Sequence, residues 1–280
     1  MPAPPVSALN GISKITPQLL SDVRNQFLTD VNSNGSLYYD EDIECIKSND
    51  WQIQRFILEN KYNQELALKG LTAAMRWRKS FGVKEINEND FPEEYYRSGS
   101  IITYGRDKND AKIIIVRANI HKKVNEWSDI MKKFFIYQIE KIDFFNDGKG
   151  VTLILDCTAI GIGNLDLDLL QFIVTSFSSY YPKLFDAILI HELPYLLQYV
   201  FKLVQSWLPE DDQKFFHLTQ KKNLNNFVSD QQLPDFMNGT NPDSYTIVPQ
   251  NVVKAMDLVL RIGLKTKDAQ KLKHLESYMK

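Results

Sequence analysis

Residues 151–190 read VTLILDCTAIGIGNLDLDLLQFIVTSFSSYYPKLFDAILI, and this stretch decides the fold class. Two short apolar runs, Val151–Leu155 and Ala187–Ile190, stand near its two ends, and each has the length of a strand buried on both faces. Between them, Leu165–Tyr180 is predicted to form a helix after the loop Gly161–Asn164. A strand, a helix and a second strand in this order predict a parallel pair joined by a crossover helix.

The same alternation continues on both sides of this stretch. Upstream, Ile101–Tyr104 and Ile113–Val116 are rich in β-branched residues and predict two strands joined by a turn. Long helices are predicted over Ser128–Phe145 and Leu196–Leu208. The chain is therefore predicted to have an α/β fold with a mostly parallel β-sheet.

The first third of the chain predicts a small all-helical module. Thr16, followed by a proline, is typical of a helix start. Asp40, Asp50 and Asn63 stand at the starts of three further helical patterns. The preceding residues 1–15 are predicted to be a flexible arm.

The composition excludes several classes of protein. Of the 280 residues, 44% are hydrophobic, and the net charge of −2 gives no basic footprint for nucleic acid. No apolar run reaches the roughly 18 residues of a membrane span, and the first residues lack the pattern of a secretory signal. A cytoplasmic location is therefore predicted, with Cys45 and Cys157 as reduced thiols.

The motifs that would indicate catalysis are incomplete. Gly161 and Gly163 follow a strand as in a dinucleotide-binding turn, but Asp166 stands where the third glycine belongs. Asp156 ends a strand, as the nucleophile of phosphoaspartyl enzymes does, but Thr158 replaces their second aspartate. A structural role for Asp156 is favoured over a hydrolase, and we predict a protein that is not an enzyme and needs no cofactor.

A metal site is not predicted either. The histidines are scattered and never occur at the spacing of a metal-binding motif. They are His121, His191, His217 and His274. Cys157 has no basic sequence neighbour that would lower its pKa, so it is predicted to be an inert buried thiol.

Two helical segments are apolar on more than one face. They are Leu169–Phe177 and Tyr195–Val204. A surface helix needs an apolar stripe only about 100° wide, so these helices are either fully buried or line a cavity. The second one lies close to the acidic turn Glu210–Asp212, which favours a helix that can move, with plain core packing as the alternative.

Several motifs together resemble the CRAL-TRIO (Sec14-like) family. Asp50–Val83 is similar to the N-terminal helical module of that family, including the turn at Lys61 and the end at Trp77-Arg78-Lys79. Later family motifs are matched, in order, by Tyr180–Leu184, Pro194, Val200–Leu208, Leu233-Pro234 and Gly239-Thr240. The resemblance covers about residues 40–240, and it is the order of the motifs that makes it specific.

The resemblance implies a bundle of N-terminal helices packed on a sheet that forms the floor of a hydrophobic lipid pocket. Leu196–Leu208 is expected to be a movable helical gate that touches membrane when open. Burying an acyl chain is favourable by about 0.8 kcal/mol per CH₂, so a lipid carrier needs apolar walls. The wall is expected to include Leu155, Cys157, Phe172, Ile173, Thr175 and Ile188. The gate residues are expected to be Leu197, Phe201, Val204 and Leu208.

Two lysines are candidate contacts for a lipid head group. Lys61 and Lys214 match basic positions of the family members that bind phosphatidylinositol. Asn60 replaces a neighbouring arginine of those members, and Asp211 sits near the position of a threonine. An acid there would weaken the binding of an inositol phosphate through like charge, so the sequence argues against phosphoinositide recognition.

The predicted organisation has four parts. They are the flexible arm 1–15, the N-terminal helical module 16–90, the lipid-binding domain 91–245 and a basic amphipathic C-terminal helix 246–280. That last helix is expected either to dock on the domain or to lie on a membrane surface. We expect a cytoplasmic monomer that binds a phospholipid or similar lipid and contacts membranes transiently. The alternative is a protein-interaction scaffold whose pocket is filled by its own side chains.

Overall fold

The N-terminal part of the chain is helical, as predicted. The computed structural model describes residues 11–143 and 149–279. The first α-helices are α1 (Pro17–Asn34), α2 (Asp40–Ser48), α3 (Trp51–Glu59) and α4 (Gln64–Phe81). The side chains of Thr16 and Asn63 cap α1 and α4, and each accepts a hydrogen bond from a backbone amide three residues on, at 3.1 and 3.0 Å. Asp50 precedes α3, but its carboxylate pairs with Arg24 instead of capping.

Strands and helices alternate after this module. The elements are α5 (Glu93–Arg97), β1 (Ile101–Arg106), β2 (Lys112–Arg117), α6 (Ser128–Asp143), β3 (Val151–Asp156), α7 (Leu167–Thr175), β4 (Phe185–His191), α8 (Gln198–Ser206), β5 (Phe216–Thr219), α9 (Lys221–Leu224), α10 (Ala255–Arg261) and α11 (Thr266–Ala269). Short 3-10 segments join several of them.

Among the described residues, one sheet of five strands lies at the centre, in the order β1-β2-β3-β4-β5. β1 and β2 are antiparallel, and each later pair of neighbours is parallel. The predicted α/β fold with a mostly parallel sheet is confirmed. The sequence did not predict β5, because four residues that pair with a single neighbour are too short to give a periodic pattern.

The two faces of the sheet bury different side chains. Leu155 pairs with Ile190 in the ladder of β3 and β4, and Ile188 lies two residues earlier, so all three lie on one face. This face, called the pocket face below, packs against α6, α7 and the C-terminal residues. Ile154 and Leu189 lie on the opposite face, under the residues that follow β5.

The predicted gate helix is shorter than expected. A 3-10 turn at Tyr195–Leu197 opens it, and α8 ends at Ser206 instead of Leu208. Pro209 explains the early end, because proline disfavours helical backbone at the residue before it.

The helix predicted over Leu165–Tyr180 has two parts. α7 ends at Thr175, and a π-helical segment, Ser176–Tyr180, continues it. The predicted end of α6 near Phe145 lies outside the described residues, as does most of the predicted flexible arm.

Three short helical segments stand where one C-terminal helix was expected. They are α10, α11 and a 3-10 segment, Gln270–Tyr278. Gly263, with a left-handed φ of 75°, separates α10 from α11. Leu258 and Leu272 are buried against the pocket-face core, and the Trp127 indole donates a hydrogen bond to the Asp268 carbonyl oxygen at 2.9 Å. The segment therefore docks on the domain.

Buried ion pairs join the helical module to the sheet domain. Arg55 of α3 bonds both carboxylate oxygens of Asp143 on α6, at 2.8 and 2.9 Å, and the Pro182 carbonyl oxygen at 2.8 Å. Arg78 of α4 donates from its two terminal nitrogens, one to each carboxylate oxygen of Glu140 on α6, at 2.7 and 3.0 Å. These contacts fix the module against α6.

Candidate ligand-binding site

The predicted wall residues fall into three positions. Leu155 and Ile188 lie on the pocket face, and Cys157 follows β3 at its edge. Phe172 and Ile173 of α7 pack against the same apolar core. Thr175, at the end of α7, is exposed, and the structure does not bring it to the wall.

One apolar cavity of about 60 Å³ lies on the pocket face. Of the predicted wall residues, Ile173 lines it. Lining residues that sequence reasoning missed include Val116, Met131, Phe135 and Leu169. They belong to β2, α6 and α7, so only the folded chain brings them together, although their apolar character was visible in the sequence.

A second apolar cavity, of about 50 Å³, lies beside the turn that follows α8. Ile188 and Leu208 line it together with Phe177 and Phe216. Phe172 faces neither cavity, because its ring stacks on Phe81 with ring centres 5.7 Å apart. Of the six predicted wall residues, Ile173 lines the first cavity and Ile188 the second, and the other four line neither.

Cys157 and Asp156 are both buried, and their contacts agree with structural roles. Burial raises the pKa of the Cys157 thiol to about 12, so the thiol stays protonated near neutral pH. Asp156 is buried, and one of its oxygens accepts the Thr158 amide at 3.0 Å. This contact agrees with the structural role predicted for Asp156. Within the two described ranges, no cluster of His, Cys, Asp and Glu could hold a metal ion.

The predicted gate, α8 with the 3-10 turn before it, has two apolar faces, and among the described residues only one of them is covered. Leu197 and Val204 are buried, and the Phe201 ring lies 6.3 Å from the Phe216 ring of β5. The other face carries large side chains that are open to solvent. Their exposed fractions are 76% for Tyr195, 80% for Leu196, 78% for Tyr199 and 45% for Leu203. No helix in the described part of the chain is long and apolar enough to span a membrane.

The two candidate head-group lysines do lie together. Lys61 and Lys214 line one groove of about 870 Å³ between the helical module and the turn after α8. Asp211 lies 2.6 Å from Lys61, and their hydrogen bond raises the pKa of the lysine and lowers that of the aspartate. Lys183 pairs with Glu59 at 2.6 Å in the same groove. Asp211, the acid that the sequence placed near the head-group position, therefore already forms an ion pair with Lys61.

Comparison with known proteins identifies the family. The model of the CRAL/TRIO domain matches residues 96–239, just over half of the 280 residues. The chain therefore belongs to the CRAL/TRIO domain family.

Three curated relatives are each less than 25% identical to this chain over the aligned residues. A CRAL-TRIO domain-containing protein of Schizosaccharomyces pombe is 24% identical over 209 residues, which are 70% of this chain and 47% of that protein. The phosphatidylinositol transfer protein CSR1 of Eremothecium gossypii is 21% identical over 195 residues, 64% of this chain and 44% of that protein. The phosphatidylinositol transfer protein SFH5 of Vanderwaltozyma polyspora is 23% identical over 206 residues, 68% of each chain. The chain spans less than half the length of the first two.

The crystal structure of Sfh5 shares the fold. It superimposes with a TM-score of 0.64 at 16% identity, and the match covers 91% of this chain and 96% of that one.

Proposed function

We propose that this protein binds a hydrophobic ligand, a phospholipid or a similar lipid, at the pocket face and transfers or presents it at membranes. Membership of the CRAL/TRIO family supports the proposal, and two of the relatives are named phosphatidylinositol transfer proteins. The protein acts as a carrier and not as an enzyme. It works as a cytoplasmic monomer with transient membrane contact.

The exposed apolar surface of α8 and of the 3-10 turn before it carries the proposal. Tyr195, Leu196 and Tyr199 hold large apolar surfaces in water, and contiguous exposed patches of this kind mark sites of contact with proteins or membranes. On the inner face of α8, Phe201 packs against the pocket-face core, and Leu208, two residues after the helix, lines the second cavity with Ile188. Outer-face contact with a bilayer would therefore favour the conformation in which the inner face has left the sheet.

The pocket has to widen when a lipid binds. Ligand pockets usually enclose about 300–1,000 Å³, whereas the two pocket-face cavities enclose about 60 and 50 Å³. Movement of α8 would take Phe201 off the pocket-face core and so widen the space on that face. In the head-group groove, Lys214 forms no ion pair with the described residues, which leaves it for a lipid phosphate, while Asp211 competes for Lys61.

Within the family, we propose from residues 151–190, 201–208 and 227–229 that the chain is most like the lipid-binding domain of motile sperm domain-containing protein 2. Such a likeness favours a lipid ligand.

A vesicle-to-vesicle transfer assay tests the proposal. Leu196→Asp combined with Tyr199→Asp is expected to slow the transfer of a fluorescent phospholipid at least tenfold, because burying one such side chain is worth about 1.5–3 kcal/mol. The control, Ile162→Asp with Ile247→Asp, changes two side chains that are each 77% exposed outside the gate, and it should transfer normally. Equal transfer by both variants would refute the gate assignment.

A second candidate function is a protein-interaction scaffold whose pocket is filled by its own side chains. The small volumes of the two cavities, about 60 and 50 Å³, favour it. Native mass spectrometry of the purified protein separates the two. A carrier retains a lipid after gentle purification, whereas a scaffold is detected as bare chain and shows no transfer even without substitutions.

A further inference from the structure

The C-terminal segment carries a second exposed apolar surface. Met256 and Leu260 lie one helical turn apart on α10, with exposed fractions of 40% and 76%. Ile262, which follows α10, is 37% exposed. We call these three side chains and the turn after them the α10 knuckle. A Cβ atom placed on Gly263 would meet nothing within 4 Å, so the turn of the knuckle projects into open space.

The knuckle is held rigidly. The inner face of α10 buries Leu258 and Val259 almost completely. At the start of the helix, the Ala255 amide donates a hydrogen bond to the Glu94 carboxylate at 2.8 Å, and after it the Leu264 amide donates to the Val259 carbonyl oxygen at 3.0 Å. The exposed side chains therefore do not fold back onto the domain.

Positive charge surrounds the knuckle. Lys254, Arg261, Lys265 and Lys267 are all exposed, and none of them forms an ion pair with the described residues. In the same stretch, 254–267, the acid is Asp257, so the stretch carries a net charge of four minus one, or +3. The Glu94 carboxylate adds one negative charge at the start of α10. The carboxylate of Asp268, next in the chain, is turned inward and accepts the Lys265 amide at 3.0 Å. The whole chain, by contrast, has a net charge of −2.

Protruding apolar side chains ringed by unpaired cations fit a particular kind of surface. The interfacial region of a bilayer accepts apolar side chains, and anionic lipid head groups attract lysine and arginine. We propose that the α10 knuckle is a second membrane contact, separate from the gate, and that it selects membranes containing anionic lipids. The proposal rests on the proposed function, because it supplies the docking step that brings a lipid carrier to one kind of membrane.

Binding of the full chain to vesicles tests the proposal. The vesicles contain phosphatidylcholine alone or with added phosphatidylserine, at low and at high salt. Each cation near an anionic surface strengthens binding about fivefold, so Lys265→Glu with Lys267→Glu should weaken binding to the anionic vesicles by at least about 25-fold. High salt should remove most of the preference for anionic vesicles. The matched control, Lys108→Glu with Lys112→Glu, makes the same change of charge at exposed positions of the β1–β2 hairpin and should bind normally.

A separate substitution tests the contribution of the apolar side chains of the knuckle to vesicle binding. Leu260→Asp should weaken binding to anionic vesicles, whereas Ile247→Asp, at 77% exposure against 76%, should not. The proposal is overturned if the Lys265 and Lys267 double variant keeps the preference of the parent for anionic vesicles, or if the parent shows no preference. Retained lipid in native mass spectra and normal transfer between phosphatidylcholine vesicles would then leave the proposed function intact. Loss of lipid and transfer in the parent chain would instead refute the carrier itself.

Discussion

Removing one partner of the Arg55–Asp143 ion pair should strongly destabilise the protein. The side chains of Arg55 and Asp143 are 2% and 8% exposed, and their closest atoms, Nη1 and Oδ2, lie 2.8 Å apart. Asp143→Asn removes the negative charge and leaves a buried guanidinium without a counter-ion. Loss of one partner of a buried pair costs about 3–5 kcal/mol, because the remaining charge stays out of water without compensation.

The exposed pair Lys47–Glu44 provides the control. Its N–O distance of 2.7 Å is almost the same, but its side chains are 47% and 70% exposed. Solvent screens such a pair, and its loss costs about 0–1 kcal/mol. Glu44→Gln therefore gives the cost expected for losing a pair that is screened by solvent and lies within one helix.

Urea unfolding of Asp143→Asn, Arg55→Met and the double variant measures the effect, with Glu44→Gln as the surface control. Each single change at the buried pair should lower the free energy of unfolding by at least about 3 kcal/mol, or lower the melting temperature by about 6 °C or more. The double variant should recover part of the loss, since neither charge is then left alone. A loss in Asp143→Asn no larger than that in Glu44→Gln would refute the reasoning.

Two further perturbations follow from the structure. Gly239→Ala would place a Cβ atom 1.9 Å from the Leu233 carbonyl oxygen and should destabilise by about 1–3 kcal/mol, while Gly163→Ala, with nothing within 4 Å, should change stability by less than about 0.5 kcal/mol in the same urea assay. Burial opposes ionisation of Glu140, but its contact with Arg78 outweighs this and lowers its pKa below the ordinary 4.5. The ionised carboxylate therefore contributes stability above pH 4.5 that is lost as pH falls through the lower folded pKa. Glu140→Gln should be less stable at neutral pH and should lose less stability on acidification. A loss on acidification equal to that of the parent chain would contradict this assignment.

Parts of the candidate site could be read from the sequence. Leu155 and Ile188 come from apolar runs that had to be buried strands, and both lie on the pocket face. The two-sided apolar character of Tyr195–Val204 predicted full burial or a cavity wall, whereas one side of this segment is exposed to solvent. The exposure of Thr175 could not be predicted from the sequence. Thr175 is the last residue of α7, and which side of a helix end is exposed depends on the elements packed around it.

The sequence by itself determined the order and type of the main elements, since alternation of short apolar runs with helical periodicity is a local property. It also determined the family, through motifs whose order survives in the chain. Only the tertiary structure decided the shape of the pocket face, where Ile173 and Ile188 line separate small cavities. It also divided the apolar residues of the C-terminal segment between the core and the α10 knuckle. Both outcomes depend on packing between residues far apart in the chain, which no local pattern records.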